Sequence, residues 1–250
     1  MKEYSIVIPA YNEGDKITST LTQVASFMNN FSSEYEIIVV DDGSTDSTAA
    51  IVDEYLKTTP NITLVRNLHK GKGVALYAGV MKAIGEYIYL CDADLSTPVS
   101  ELKKMAVWAK ENDFDIVIGS REGIGAQRVD EPFYRHLMGR GFNFLVQLLA
   151  LPGIKDSQCG YKLFKSKVAK EVFQKLIVYG PKNETLKVPY LGAFDVEVLY
   201  IAKKLGYKIK EVPVFWKYVK TTRLRAIPDS IKMLRDVVKV RILDFKGRYN

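Results

Sequence analysis

Apolar and polar residues alternate with two different periods along the first 120 residues of the chain. Residues 36–40, Glu-Ile-Ile-Val-Val, are a short and almost entirely apolar run, as expected for a strand of a parallel sheet that is covered on both faces. Between such runs, apolar residues recur every three or four positions, which is the spacing of an amphipathic helix. The pattern predicts strands over residues 4–9, 36–40, 62–65, 86–91 and 115–119. It predicts helices over residues 16–31, 46–57, 73–83 and 98–112.

Short connections between these alternating elements favour an α/β fold with a doubly wound, mostly parallel sheet and flanking helices. Ligands of such sheets bind outside the carboxyl ends of the strands. Polar clusters follow the predicted strands at these ends, over residues 9–13, 41–42, 67–72, 92–94 and 119–121. The sequence therefore predicts a substrate site at this edge of the sheet.

A different pattern follows residue 120. It predicts helices over residues 133–151, 167–176, 194–205 and 228–245, strands over 160–165 and 207–216, and loops over 121–132 and 178–192. The last helix is basic and amphipathic, with an apolar face formed by Ile231, Leu234, Val238 and Ile242. Because we find neither a repeat nor a linker, we expect one compact unit. Residues 1–225 would form the domain, and residues 226–250 a C-terminal helix packed on it or extending from it.

Composition and cysteine usage are those of an ordinary globular protein. Of the 250 residues, 47% are hydrophobic and 26% are charged, which is enough material for a core. Cys91 and Cys159 indicate no disulfide framework, so we expect a reducing compartment. We expect no signal peptide, because a strand pattern begins at residue 4. No apolar run approaches about 18 residues, so we expect no transmembrane helix.

Positive charge is concentrated towards the C-terminal end. Residues 201–250 contain 14 Lys and Arg against 4 Asp and Glu, a net charge of +10, whereas the first 200 residues contain 22 against 25, a net charge of −3. A basic end on a near-neutral body indicates an anionic partner. A nucleic acid, an acidic membrane surface and a phosphorylated substrate each fit this charge, and a solvated helix face is the alternative.

Asp92 and Asp94 are the candidate chemistry around which the site is organised. They follow the strand predicted over residues 86–91, and side chains at positions i and i+2 of a strand share one face. Two neighbouring carboxylates repel each other unless a cation lies between them. A hard divalent ion, Mg²⁺ or Mn²⁺, accepts carboxylates and usually keeps substrate phosphates as further ligands. The hypothesis is a site for a metal and a diphosphate, and the alternative is an acidic loop at a strand end.

Other polar groups would complete such a site. Asp41 and Asp42 are suited to accept hydrogen bonds from a nucleobase, although a turn that caps a helix explains part of this segment. Lys70 and Lys72 stand among glycines at a predicted helix start, where anions bind, although the Walker A spacing is absent. Arginine suits phosphate because its donors form a bidentate fork. The candidate arginines are Arg121, Arg128, Arg135 and Arg140.

Serine-hydrolase and zinc chemistry are not expected. His69 and His136 are far apart in sequence, and neither has a nearby partner for nucleophilic catalysis. The chain has no Gly-x-Ser-x-Gly elbow and no zinc-ligand spacing.

Several motifs, in order and at a family-like spacing, resemble one known family. They cover residues 6–13, 39–46, 67–73, 92–96 and 119–121. Together they resemble the inverting family 2 glycosyltransferases with the GT-A fold, over residues 4–220. Residues 156–164, Asp-Ser-Gln-Cys-Gly-Tyr-Lys-Leu-Phe, and residues 194–197, Phe-Asp-Val-Glu, resemble the polyprenyl-phosphate branch of that family. They are closer to dolichyl-phosphate glucosyltransferases than to the mannosyl relatives.

The resemblance implies roles for the residues at matching positions. Asp92 and Asp94 would be catalytic and would hold Mg²⁺ or Mn²⁺, and Arg121 and Arg135 would bind the phosphate of the lipid. A nucleotide sugar would be bound by Pro9, Tyr11, Glu13, Asp41, Lys72, Asp92, Gln158 and Arg223.

The resemblance also places Asp195 near the sugar, beside Gln158, as the candidate for a catalytic base. Ser96 and Thr97 stand where mannosyl relatives often have Gln or His, which leaves the third metal ligand open. Many relatives carry C-terminal membrane helices and this chain has none, so we expect peripheral contact at the cytoplasmic face of a membrane.

The expected function is the inverting transfer of a hexose, glucose from UDP-glucose, onto a polyprenyl or dolichyl phosphate. A lipid monophosphate is largely ionised at neutral pH, since its second pKa is about 6, and its oxygen therefore attacks the anomeric carbon without a strong base. One alternative is an enzyme like dolichyl-phosphate mannose synthase that uses GDP-mannose. Another is a non-catalytic module that binds nucleotide sugars. We expect no nucleic acid among the partners, and the oligomeric state is left open.

Overall fold

The computed structural model describes residues 2–182, 185–186, 192–219 and 226–249. Its strands, numbered in chain order, are β1 (Tyr4–Ala10), β2 (Tyr35–Asp41), β3 (Ile62–Arg66), β4 (Tyr87–Leu90), β5 (Ile116–Ser120), β6 (Gln127–Val129), β7 (Lys162–Lys165), β8 (Ile209–Pro213) and β9 (Phe215–Lys217). Its helices are α1 (Ile17–Phe31), α2 (Thr48–Leu56), α3 (Lys72–Lys82), α4 (Leu102–Lys110), α5 (Phe133–Leu149), α6 (Ser166–Gln174), α7 (Phe194–Lys204) and α8 (Ala226–Phe245).

The central sheet has seven strands in the order β3-β2-β1-β4-β7-β5-β8. β1 pairs in parallel with β2 and β4, and β5 pairs in parallel with β8. β7 is inserted antiparallel between β4 and β5. The chain winds from β1 outwards to β3 and then crosses to β4 on the other side of β1. This reversal opens a crevice beside the carboxyl ends of β1 and β4, where ligands bind in sheets of this type.

Side chains of the sheet alternate between two buried layers. Val7 and Ile38 lie in the layer that packs against α3, α6, α7 and α8. Their neighbours Ile6 and Ile37 lie in the opposite layer, against α1, α2 and α4. Each of these side chains is fully buried, which is worth about 1.5–3 kcal/mol apiece. The continuous apolar runs of the central strands therefore fill both faces of the sheet, and the predicted doubly wound, mostly parallel sheet is confirmed.

The carboxylates of Asp92 and Asp94 do not belong to a strand. β4 ends at Leu90, and both residues lie in the turn that follows, in which the Leu95 N–H donates to the Asp92 carbonyl over 3.2 Å. The strand predicted over residues 86–91 is confirmed as β4, but the expectation that strand alternation aligns Asp92 and Asp94 was wrong. The turn presents both carboxylates to the crevice instead.

The strand predicted over residues 207–216 is interrupted at Pro213. β8 lies at the edge of the central sheet, whereas β9 pairs in parallel with β6 in a second sheet of two strands. Because Pro213 has no N–H to donate, the ladder changes partner at this point. β6 lies within residues 121–132, so the prediction of a loop there was wrong for Gln127–Val129. The helix predicted over residues 98–112 likewise begins with a 3₁₀ turn and becomes α-helical only at Leu102.

Helix α8 has two apolar faces. Val237 and Val240 are buried against the domain. Ile231, Val238 and Ile242, which the sequence places on its apolar face, are exposed. None of the described helices combines the length and hydropathy that crossing a bilayer requires.

Candidate functional site

A cavity of about 580 Å³ occupies the crevice at the carboxyl ends of the strands and extends to the inner faces of α5 and α8. Most of the residues predicted for the site line it: Pro9, Tyr11, Glu13, Lys72, Asp92, Asp94, Arg121, Arg135, Gln158 and Asp195. Asp41 is absent from the lining, and its carboxylate accepts the Ser44 N–H over 3.3 Å. Arg223 lies outside the described residues.

A lysine lies against the acidic pair at the centre of the cavity. The Lys72 ammonium is 2.5 Å from Asp92 Oδ1. Burial opposes the charge of Lys72, but the carboxylates of Asp92 and Asp195 outweigh it and raise the pKa of the lysine. Burial and the charge of Asp92 raise the pKa of the Asp94 carboxyl, against the hydrogen bond from the Ser96 N–H. The two carboxylates thus repel each other where they meet the cavity.

The absence of a side chain at Gly160 leaves room for the Asp92 carboxylate. A Cβ atom on Gly160 would lie 2.0 Å from Asp92 Oδ2, far closer than two such atoms approach. Gly160 directly precedes the segment that enters β7, so the inserted antiparallel strand brings its backbone against the carboxylate. The sequence motif contained this glycine, but its contact with Asp92 depends on the strand order.

The donor set of this centre fits a hard divalent ion. Asp92 and Asp94 supply carboxylate oxygens, which Mg²⁺ and Mn²⁺ prefer, and their mutual repulsion favours a cation between them. Within the described residues, no group of three or more His, Cys, Asp or Glu is arranged to hold a metal. Asp92 and Asp94 would hold such an ion, and the phosphates of a substrate would supply further ligands. The Ser96 N–H is engaged by Asp94 Oδ1 over 2.9 Å.

Asp195 lies at the N-terminal end of α7, in a buried ion pair with Lys162 of β7. Burial raises the pKa of the Asp195 carboxyl, although the charges of Lys162 and Lys72 oppose this effect. Lys162 is fully buried. Its pairing with Asp195 was not predicted from the sequence, where the two residues are 33 positions apart.

Asp42, His69 and Tyr11 form one end of the cavity. The His69 Nδ1 atom lies 2.8 Å from Asp42 Oδ2, and the His69 ring stacks on Tyr11 with centroids 4.0 Å apart. The Asp42 carboxylate also accepts the N–H groups of Lys70 and Gly71, over 3.0 and 2.8 Å. The sequence indicated a nucleobase site at the aspartate pair and no partner for His69. The structure places Asp42 rather than Asp41 in the lining and gives His69 a carboxylate partner.

Arg121 is held by a carboxylate of the protein. Its Nε and NH2 groups each donate to Asp156 over 2.8 Å, and its N–H donates to the same carboxylate. Burial would raise the pKa of Asp156, but the charge and hydrogen bonds of Arg121 outweigh it and hold that pKa well below its usual range. The Arg121 guanidinium also lies 5.3 Å from the centre of the Trp216 ring. Its positive charge in the cavity is therefore largely balanced.

Arg135, at the start of α5, has a different environment. Its NH1 group donates to the Tyr218 hydroxyl over 3.0 Å. No carboxylate within the described part of the chain forms an ion pair with it. Arg135 therefore presents a cation to the cavity, close to the part lined by Phe142 and Asn143 of α5 and Met233 of α8.

Comparisons with known proteins agree with this arrangement. The family model described as glycosyl transferase family 2 matches residues 5–173. The dolichyl-phosphate beta-glucosyltransferase of Dictyostelium discoideum is 36% identical over 250 residues, covering 95% of this chain and 73% of that protein. The one of Homo sapiens is 31% identical over 264 residues, covering 99% of this chain and 78% of that protein.

A solved structure extends the likeness to the fold. It is the mannosyltransferase PcManGT from Pyrobaculum calidifontis in complex with GDP-Man and Mn²⁺. The TM-score is 0.57 at 20% identity, and the match covers 95% of this chain and 69% of that chain. The GT-A fold is thereby confirmed.

Proposed function

The chain belongs to glycosyl transferase family 2, and from this premise we propose that it transfers glucose from UDP-glucose to dolichyl phosphate with inversion. The relatives named dolichyl-phosphate beta-glucosyltransferases, at 31–36% identity, support glucose as the sugar and the lipid phosphate as the acceptor.

The observation that carries the proposal is that one cavity joins the acidic centre to the α5–α8 side of the molecule. The nucleotide sugar would place its base at the Tyr11–His69 end and its diphosphate beside Asp92, Asp94 and Lys72. A divalent cation held by the two aspartates would supply positive charge to the leaving diphosphate. Lys72 would supply a second positive charge there. Its pairing with Asp92 holds the ammonium in position before the donor binds.

The acceptor would enter from the side of α5 and α8. Arg135 is the cation best placed to bind its phosphate, whereas Arg121 is already paired with Asp156 and would mainly shape the wall. A phosphate monoester is ionised at neutral pH, so attack on the anomeric carbon needs no proton to be removed. Asp195, paired with Lys162, would hold a sugar hydroxyl and fix the orientation of the ring.

Exposed apolar side chains on α5 and α8 support contact with a lipid surface. On α5 they include Phe144 and Leu148, and on α8 they include Ile242 and Phe245. Exposed basic side chains lie beside them, at Arg235 and Lys239 on α8 and at Lys246 just beyond its end. A basic residue near an anionic surface contributes about 1 kcal/mol. We propose that these two helices rest on a membrane, with the cavity opening towards it.

A donor and acceptor panel tests this function. The protein, with Mg²⁺ or Mn²⁺, is incubated with radiolabelled UDP-glucose or GDP-mannose and with dolichyl phosphate or unphosphorylated dolichol. Label in the lipid fraction is expected only for UDP-glucose with dolichyl phosphate, as a β-linked product. Transfer from GDP-mannose alone would replace the proposed donor, and transfer to dolichol would contradict the role of the phosphate.

A further inference from the structure

Helix α8 is fastened to the domain by two similar contacts. The Tyr179 hydroxyl donates to Asp236 Oδ2, and the Tyr200 hydroxyl donates to Asp244 Oδ2 over 2.5 Å. In each case a tyrosine of the domain meets an aspartate of the helix. Hydrogen bonds to an ionised acceptor are among the stronger ones in proteins, so both contacts seat the helix.

Only the first of these contacts continues into the cavity. The Tyr179 hydroxyl also accepts the N–H of Ala193 over 2.6 Å. Ala193 directly precedes Phe194 and Asp195, which begin α7 and line the cavity. One hydroxyl group therefore joins Asp236 of α8 to the backbone that sets the position of Asp195. A hydroxyl that donates and accepts at once polarises both bonds.

Close packing fixes the rest of Tyr179 against the same part of the site. A Cβ atom on Gly73 would lie 2.9 Å from the Tyr179 Cβ and 3.1 Å from the Phe194 Cβ. Gly73 follows Lys72, whose ammonium lies 5.5 Å from the centre of the Phe194 ring. A shift of Tyr179 would therefore displace Phe194 and the start of α3.

A buried carboxylate holds the backbone around Tyr179. Glu197 is fully buried and accepts the N–H groups of Ile177, Val178 and Tyr179 over 2.8 to 2.9 Å. It also accepts the hydroxyl of Tyr249, beyond the end of α8, over 2.6 Å. The backbone of the segment that carries Tyr179 is thus held by three hydrogen bonds to one buried carboxylate.

We propose that Tyr179 is a positioning residue that couples the seating of α8 to the placement of Asp195 and Phe194 in the cavity. The coupling rests on the proposed function, in which α8 contacts the lipid surface. Docking of the helix would then favour the arrangement of the site that transfers the sugar. Lipid contact and sugar transfer would be linked through one hydroxyl group.

The test compares Tyr179→Phe with Tyr200→Phe. Both substitutions remove a hydroxyl that contacts α8, Tyr179 through Asp236 and Tyr200 through Asp244 and Arg241. Only Tyr179→Phe also removes the contact with Ala193. For Tyr179→Phe we expect amide exchange at Ala193 to rise about 10-fold or more, because the N–H loses its acceptor. We expect kcat for transfer on vesicles to fall about 10-fold, since a small misplacement near the reacting groups has effects of this size. KM for UDP-glucose should stay within about two-fold, because the base end of the cavity is untouched.

Tyr200→Phe should keep both the exchange rate at Ala193 and kcat. A third variant, Asp236→Ala, keeps the Tyr179 hydroxyl and the Ala193 N–H but removes the acceptor on α8. If α8 takes part in the coupling, this variant should weaken the Tyr179–Ala193 bond and lower kcat. Equal kcat values for Tyr179→Phe and Tyr200→Phe, or full kcat in Asp236→Ala, would overturn the proposal. If the unaltered chain transfers no glucose, the proposed function fails. Amide exchange at Ala193 in Asp236→Ala then decides the coupling alone, a rise supporting it and an unchanged rate refuting it.

Discussion

At Gly160 the backbone lies so close to the carboxylate of Asp92 that any Cβ atom would displace that carboxylate. This contact explains a glycine whose importance is invisible in a hydrophobicity pattern. The aspartates themselves were predictable, because two carboxylates after an apolar run are unusual. The sequence did not predict the contact partners of Gly160, Asp156 and Lys162. These partners are distant in sequence and come together only when β7 is inserted antiparallel between β4 and β5.

Gly160→Ala should displace the Asp92 carboxylate from the cavity. The clash is with a side chain that can rotate away, so we expect the fold to persist while transfer falls about 100-fold, a loss typical of a misplaced catalytic group. Transfer rate and circular dichroism measure the two effects. Gly141→Ala is the matched control, because a Cβ there meets nothing within 4 Å. Equal rates for the two variants would contradict the role of Gly160.

The Arg121–Asp156 pair should contribute to stability in a pH-dependent way. Asp156→Asn leaves a partly buried guanidinium without its carboxylate, and we expect the free energy of unfolding at neutral pH to fall by about 3 kcal/mol. In the unaltered protein the folded-state pKa of Asp156 is lowered. Its contribution is therefore complete above the unfolded pKa of about 3.9 and is lost as the pH falls further.

Urea unfolding at neutral and acidic pH tests this prediction. The stability difference between the two proteins should be largest at neutral pH and should shrink in acid. Asp113→Asn is the control, because that side chain is exposed and pairs only at the surface. A difference that grows as the pH falls would contradict the assigned sign.

At the level of elements, the sequence predicted most strands of the central sheet but not the separate two-stranded sheet of β6 and β9. The alternation of residues 207–216 continues through Pro213, so nothing in the pattern marks the point where β8 ends and β9 begins. The partner of β9 is the three-residue strand β6, which is too short to give a periodic signal. The amphipathic nature of α8 was predicted, but not that its predicted apolar stripe faces outwards while Val237 and Val240 pack inwards.

The exposed face of α5 should bind anionic vesicles. Leu148 is 72% exposed on this helix, and Leu148→Ser should lower partitioning onto phosphatidylserine vesicles about 10-fold, as expected for the loss of one buried apolar side chain. Vesicle co-sedimentation measures the effect. Ile84, 66% exposed, lies before the amino end of β4, whereas the cavity lies at the carboxyl ends of the strands. Ile84→Ser should therefore leave partitioning unchanged. A similar loss of partitioning in both variants would indicate non-specific hydrophobic adsorption and would contradict a docking face on α5.

Across the whole molecule, the charge asymmetry found in the sequence corresponds to the positions of the acidic centre and of the basic helix α8 around the cavity. The near-neutral first 200 residues supply the acidic centre and most of the cavity wall. The basic C-terminal residues include α8, which lines the cavity on the side assigned to the lipid acceptor. Composition predicted an anionic partner but could not distinguish its kind. The position of α8 beside the cavity favours a phosphorylated lipid over a nucleic acid.

The central claim is glucosyl transfer at the acidic centre, and the rate of transfer from UDP-glucose to dolichyl phosphate tests it most directly when the unaltered chain is compared with Asp94→Asn. Asp113→Asn serves as the matched control, since it makes the same change at an exposed position with a left-handed backbone that asparagine tolerates. We predict that Asp94→Asn lowers the rate about 100-fold or more, as for loss of a group that stabilises transition-state charge, while Asp113→Asn keeps the full rate. Full transfer by Asp94→Asn would contradict the account.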